Sequence, residues 1–197
     1  MPISLVKGQK ISLAKEAGKD SNGLSKILIG LGWDVKKKGG FFGLGASAGD
    51  DIDLDASAGL YNEANELVDL VWFRHLNSND GSVHHSGDNR TGGGDGDDES
   101  ITIDLAHISA NIKTVVVTVN SFRGQTFDTV ENAFVRAVDC SNGKEIAKYN
   151  LSCTGRHTGQ IMAKIYRHNG EWKMCAIGEN ATGRTYMDMS SAIALHL

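Results

Sequence analysis

The fold is indicated by the stretch Lys26-Ile27-Leu28-Ile29-Gly30-Leu31-Gly32-Trp33, in which every odd-numbered residue is large and apolar. A period of two places those side chains on one face of a β-strand and the even-numbered ones on the other. The β-branched run at 114–119 is typical of a central strand that is buried on both faces. Further strands are predicted at 52–58, 100–105, 133–138, 160–166 and 172–177. Asn169-Gly170 predicts a two-residue hairpin turn between the last two of these.

About seven to nine short strands with little helix predict an all-β fold, a β-sandwich of antiparallel sheets. A single domain over residues 1–197 is expected. Short peripheral helices are predicted at 126–132, as a helix or a turn, and at 186–197, where apolar residues recur at helical spacing. A stretch rich in Gly, Ala and Ser predicts a flexible insertion at about residues 36–50.

Composition excludes several classes of protein. A hydrophobic fraction of 40% and a charged fraction of 22% are ordinary for a globular domain. The sequence has no run of about 18 apolar residues and no signal-peptide pattern at its start, so stable membrane insertion is not expected. The three cysteines, Cys140, Cys153 and Cys175, do not form a CxxC knuckle, and a reduced cytoplasmic protein is expected. The one short basic tract, Lys36–Lys38, is not the stripe of a nucleic-acid-binding protein.

The net charge of −4 is concentrated in one glycine-rich segment. Between Ser86 and Ser100 there are five acidic residues and one basic residue, so this segment carries the whole excess. Interleaved glycines allow sharp turns, and calcium takes about six to eight oxygen ligands. The absence of Cys and His within the segment argues against zinc or copper. A solvated acidic loop is the alternative. The spacing is not that of an EF-hand, so a calcium site here requires tertiary contacts.

A second set of carboxylates supports a cation site. Asp51, Asp53 and Asp55 share one face of a predicted strand whose other face is apolar. Like charges along one strand face repel, and a bound cation would relieve that repulsion. Asp34 follows the strand that ends at Trp33. If that strand and the Asp51 strand form a hairpin around the insertion, Asp34 lies near the start of the Asp-rich strand.

Several strings of the sequence resemble the TerD-domain family of tellurite-resistance and stress proteins. They are Gly30-Leu31-Gly32-Trp33-Asp34, Asp53-Leu54-Asp55-Ala56-Ser57, His85-Ser86-Gly87-Asp88-Asn89 and Gly94-Asp95-Gly96-Asp97-Asp98-Glu99. The segments 119–125 and 131–134 are most similar to the TerZ branch, and the resemblance covers nearly the whole chain. It implies a β-sandwich that binds calcium in its acidic loops, with two ions as the family expectation. It also implies other tellurite-resistance and stress proteins as partners. The resemblance does not imply a known reaction.

The family's acidic pattern can be carried over onto this sequence. It falls on Asp53, Asp55, Asp88, Asn89, Asp95, Asp97, Asp98 and Glu99. Together with Asp34, which its place in the strand suggests, these are the predicted metal ligands. No catalytic residue is predicted, and the protein is not expected to be an enzyme.

Other functions stay open at this point. A divalent-metal-dependent hydrolase or phosphate-handling enzyme could use the same carboxylates, with Arg90 and His85 as the evident partners. The Lys36–Lys38 tract, followed by Phe41 and Phe42, could contact a membrane surface or a partner, although lipid-binding clusters carry about four to eight charges. A Gly-x-Ser-x-Gly string at 45–49 lies in the predicted insertion rather than at a strand-to-helix turn, which argues against a nucleophile elbow.

Three further features each have a structural alternative. His84 and His85 could bind a transition metal, but a strand would turn one inward and one outward. The cysteines could be redox sensors, and burial as small apolar residues is favoured. The segment 120–126 could bind an anion or a partner, or it could connect a strand to a helix through Ser and Thr caps. For the segment 120–126, the binding role and the connecting role are equally supported.

Overall fold

The structure is a computed structural model that describes residues 2–17, 24–35, 54–87, 96–151 and 154–197. The predicted insertion at about 36–50 lies outside the described residues, and so do Asp51, Asp53, Asp88, Asn89, Asp95 and Cys153.

Two six-stranded sheets form a sandwich, which confirms the all-β prediction. The strands are β1 (Ile3–Ser4), β2 (Lys10–Ser12), β3 (Lys26–Val35), β4 (Leu54–Asn62), β5 (Leu67–Val71), β6 (Val83–His85), β7 (Glu99–Asp104), β8 (Ile112–Ser121), β9 (Val130–Asp139), β10 (Lys144–Asn150), β11 (Gly159–His168) and β12 (Glu171–Ala181). The first sheet has the order β1-β10-β9-β3-β7-β6 and the second β2-β12-β11-β8-β4-β5. Neighbouring strands are antiparallel except for β1 and β10, which are parallel. The short edge strands β1, β2 and β6 have two or three residues each, too few to show a period of two.

The core lies between the sheets and follows the predicted alternation. Ile27, Ile29 and Leu31 of β3 are fully buried there, and Val115 and Val117 of β8 face them from the second sheet. Val116 points to the opposite side of β8. The central strand is therefore buried on both faces, as the β-branched run predicts.

The C-terminal segment covers the outer face of the second sheet. It consists of a 3-10 helix at Met187–Met189 followed by α2 (Ser190–Ala194), while α1 (Leu13–Ala17) lies near the other end of the chain. Met189 and Ile193 pack with Val116 and Tyr186 in a second apolar cluster. The predicted C-terminal helix is confirmed, in a shorter form.

The turn predictions are also met. Asn169 and Gly170 have φ angles of 53° and 76° and join β11 to β12, as a type I′ hairpin turn requires. The predicted helix or turn at 126–132 is a 3-10 helix at Phe127–Thr129, and β9 begins directly after it.

The Trp33 strand does not form a hairpin with the strand that follows the insertion, which was the condition for placing Asp34 beside it. β3 pairs with β7 and β9 in the first sheet, whereas β4 pairs with β5 and β8 in the second. Alternation assigns faces to a strand but does not choose its neighbours, and here the chain crosses between sheets after β3. Within the described residues, no helix is long and apolar enough to cross a membrane.

Asp80 fastens the turn before β6 to the loop before β8. Its carboxylate accepts hydrogen bonds from Ser78 Oγ, Ser82 Oγ and the Ser82 N–H, and from the Ser109 N–H. Partial burial raises the pKa of Asp80, but these hydrogen bonds outweigh it and lower the pKa to about 2 from 3.8.

The substitution Asp80→Ala should lower the free energy of unfolding by about 1–3 kcal/mol, because it leaves the donors of Ser78, Ser82 and Ser109 without their acceptor. Because the folded pKa lies below the unfolded one, the contribution of Asp80 is present above pH 3.8 and is lost as the pH falls towards about 2. Urea unfolding at pH 7 and at pH 2.5 would measure this. The control is Glu63→Ala, which removes an exposed ion pair with Lys113 and should cost less than about 1 kcal/mol. Equal losses for the two variants at pH 7 would contradict the assignment.

Candidate metal centre at the acidic end of the sandwich

The acidic segment 96–99 runs beside the end of β3. The Asp98 N–H donates to Leu31 O at 2.8 Å, and the Trp33 N–H donates to Asp98 Oδ2 at 2.8 Å. Glu99 then pairs with Leu31 in the β3–β7 ladder. The segment is therefore an extension of the sheet, held by backbone groups of β3.

Two glycines of β3 make room for this segment. A Cβ atom at Gly30 would overlap the Asp97 carboxylate, and one at Gly32 would overlap the Phe134 ring and come within 2.8 Å of Gly96 O. Their even positions leave the outer face of the first sheet bare at this point. The glycines of the Gly30-x-Gly32 string thus have a steric role in seating the acidic segment.

Asp97 lies on that outer face and is bound by Arg136. The Arg136 Nε–H donates to Asp97 Oδ1 at 2.7 Å, and its NH2 group donates to Oδ2 at 3.0 Å. A third bond runs from Arg136 NH1 to Glu145 Oε2 at 3.2 Å. The hydrogen bonds to Asp97 are the largest of the causes that raise the pKa of Arg136. Both oxygens of Asp97 are therefore already held by a guanidinium group.

Glu99 points the other way, into the space between the sheets, and is 1% exposed. Its Oε2 accepts the Ala56 N–H of β4 at 2.7 Å and lies 3.4 Å from His85 Nε2. His85 Nε2 is also 3.1 Å from Ala56 O, and His85 Nδ1 accepts the Gly87 N–H at 2.9 Å. These contacts assign the proton to Nε2, so that His85 donates to Ala56 O.

Asp98 lies between these two environments. Burial raises the pKa of Asp98, and the charges of Asp34, Glu99 and Asp97 raise it further, against the opposing hydrogen bond from Trp33. Asp34, at the end of β3, accepts a hydrogen bond from Asn132 Nδ2 at 2.8 Å. Asp34 thus approaches the acidic segment within the first sheet, and not through the predicted hairpin.

The structure therefore brings Asp34 near Asp98, whereas Asp97 and Glu99 turn to opposite faces of the first sheet. Asp55 is 4% exposed, and its neighbours Leu54 and Ala56 point into the core, so that its side chain faces the outer side of the second sheet. Among the described residues, no group of three or more His, Cys, Asp or Glu is arranged to hold a metal ion. Four of the predicted ligands lie outside those residues: Asp53, Asp88, Asn89 and Asp95.

Sequence reasoning missed Arg136, whose position within the otherwise apolar run 133–138 was the available signal. The alternation of the two histidines is confirmed, with His84 exposed and His85 buried. Cys175 is buried as predicted, but the prediction is wrong for Cys140, which is exposed in the turn after β9.

The structure is a two-sheet β-sandwich domain with an acidic segment at the end of β3. Comparison with known proteins identifies the family to which such a domain belongs. The TerD domain matches residues 1–186. The chain belongs to the TerD family of tellurium-resistance and stress-response proteins.

Relatives are similar over almost their full lengths. Tellurium resistance protein TerZ of Serratia marcescens is 49% identical over 191 residues, which cover 97% of this chain and 96% of the relative. Stress response protein SCP2 of Bacillus subtilis (strain 168) is 46% identical over 202 residues, which cover 97% and 98%. The crystal structure of a TerD homologue from Streptomyces coelicolor A3(2) has the same fold, with a TM-score of 0.65 and 24% identity over 84% of this chain and 98% of that one.

The ion pair between Arg136 and Asp97 can be tested by a double-mutant cycle with Arg136→Met and Asp97→Asn. Because the pair is bidentate and partly buried, we expect a coupling free energy of about 1–2 kcal/mol in urea unfolding. The exposed pair of Lys113 and Glu63, measured in the same way, should give about 0–0.5 kcal/mol. Indistinguishable coupling in the two cycles would show that Arg136 does not fasten the segment.

Proposed function

We propose that this chain is a cytoplasmic calcium-binding module of the tellurium-resistance and stress response that acts with other proteins of that group. The observation that carries the calcium proposal is the convergence of Asp34 and Asp98 at the end of β3. Burial, together with the repulsion from Asp34, raises the pKa of Asp98. A divalent cation between such carboxylates would replace repulsion by attraction.

The donor chemistry fits calcium. Asp34 and Asp98 supply carboxylate oxygens from a rigid strand and from the segment paired to it. We assign the remaining oxygens to Asp53, Asp88, Asn89 and Asp95, and two ions are the family expectation. An all-oxygen set of about six to eight ligands suits calcium better than magnesium, which retains its waters.

Asp97 and Glu99 have a different part in this proposal. Asp97 is held by Arg136, and Glu99 by Ala56 and His85. These contacts fix the two ends of the Asp97–Glu99 turn, so that Asp98 is presented at a set position. They act as positioning residues, and the ion would complete a surface that a partner protein can recognise.

A binding module is favoured over a hydrolase. A metal-dependent hydrolase needs a base or a cation beside the ion to activate water or stabilise the leaving group. In the part of the chain that the structure describes, Arg136 and His85 are each engaged with a carboxylate of the segment, and Lys148, which lines a cavity with Asp34, stands over the Phe134 ring. The names of the relatives, which refer to tellurium resistance and stress, support the proposed cellular role.

Isothermal titration with calcium tests this function. We expect saturable heat and a rise in melting temperature, because an ion that binds the folded chain stabilises it. Magnesium should bind more weakly. Asp98→Asn keeps an acceptor for the Trp33 N–H but removes the charge, and it should weaken calcium binding at least about tenfold, while Glu63→Gln should leave it unchanged. Absence of both heat and thermal stabilisation in the parent chain would refute the proposal.

A further inference from the structure

A cavity of about 180 Å³ lies on the outer face of the second sheet. No residue of the acidic segment 96–99 lines it. Its walls are aromatic: Trp72, Phe73, Phe122 and Tyr186 line it, and Met187 closes one side. Trp72 and Phe73 are 4.9 Å apart in an edge-to-face arrangement, and Phe73 and Phe122 are 5.7 Å apart. Ring walls of this kind favour a flat, polarisable ligand group.

The lining of the cavity includes a buried acceptor without a donor. Asn120 is 3% exposed, and its Nδ2 donates to Arg184 O at 2.7 Å, which fixes the orientation of the amide. Asn120 Oδ1 has no hydrogen-bond partner in the described part of the chain. Asp55 pairs with Asn120 across the strands and lines the same cavity. An acceptor left unsatisfied in a buried position is costly, so this side of the cavity calls for an N–H donor.

The mouth of the cavity has the opposite character. Arg74 does not itself line the cavity, but its exposed guanidinium stands 5.2–5.8 Å from the centroids of three rings that do, those of Phe73, Trp72 and Phe122. Arg184 lines the cavity and donates through Nε to Phe122 O. Two guanidinium groups beside the opening favour an anionic group at the surface, and the Asp55 carboxylate disfavours one inside.

We propose that this cavity binds a mononucleotide, with the base inside and the phosphate at Arg74 and Arg184. The base stacks on the aromatic walls and gives an N–H hydrogen bond to Asn120 Oδ1. Pockets that enclose a whole drug-sized ligand measure about 300–1,000 Å³, so 180 Å³ suits one ring system with the sugar and phosphate outside. This gives a function to part of the segment 120–126: Ser121 Oγ accepts the Gln125 N–H and shapes the turn, while Asn120 and Phe122 face the ligand.

Isothermal titration of the full chain with AMP, adenosine and N6,N6-dimethyl-AMP, without added calcium, tests the assignment. AMP should bind saturably. The dimethyl analogue should bind at least about tenfold more weakly, because it cannot donate to Asn120. Adenosine should also bind more weakly, because it lacks the phosphate.

Variants locate the two ends of the ligand. Trp72→Leu should lower the affinity for AMP at least about fivefold, because the base loses a stacking partner. Arg74→Gln should lower the affinity for AMP but leave the affinity for adenosine unchanged. Arg156→Gln removes the same charge from an exposed arginine that neither lines the cavity nor stands over its rings, and it should change neither affinity. Melting temperatures confirm that each variant is folded.

Three results would overturn the proposal: no saturable AMP binding at millimolar concentration, equal affinities for AMP and its dimethyl analogue, or tighter binding of a short oligoadenylate than of AMP. The last would indicate single-stranded nucleic acid instead of a free nucleotide. None of these depends on whether the acidic segment binds calcium.

Discussion

The buried contact of Glu99 with Ala56 is the constraint on which the acidic end of the sandwich depends. β5 pairs with β4 only from Ala58 onward, so the N–H and C=O of Ala56 lie beyond the end of that ladder. Glu99 accepts the N–H and His85 reaches the C=O, so that side chains of the first sheet replace a missing strand neighbour in the second. Buried backbone groups require such partners, and a buried carboxylate requires donors. One contact satisfies both requirements and joins the sheets.

This contact explains how three adjacent acids are tolerated. Strand β7 begins at Glu99, which turns inward, so Asp98 and Asp97 precede the strand and do not follow its alternation: Asp98 accepts the Trp33 N–H at the rim, and Asp97 lies across Gly30 beside Arg136. The three carboxylates therefore enter three environments and do not compete for one. Burial acts on Asp98 together with repulsion from Asp34, Glu99 and Asp97, and both raise its pKa. The proposed calcium ion would bind at this point.

The sequence was sufficient to predict the strand faces and the acidic end, but not how the strands meet. Period two assigned Ile27 and Leu31 to the core because burial of one face is a local property. Pairing is not local: β3 found β9, more than 90 residues away, and this brought Arg136 to Asp97. Nothing in the spacing of the acids indicates that partner. Asp55 was correctly placed opposite the apolar face of its strand, yet only the tertiary structure shows that this face lines an aromatic cavity.

The most direct test is a calcium titration followed by amide resonances of the uniformly ¹⁵N-labelled chain. We predict saturable shifts of the Trp33 amide, which donates to the Asp98 carboxylate, and of the Asp98 amide, which donates to Leu31 O, while the amide of Ser109, bonded to Asp80, stays in place. Amides of Asp98 and Trp33 that do not move at saturating calcium would contradict calcium binding at the end of β3.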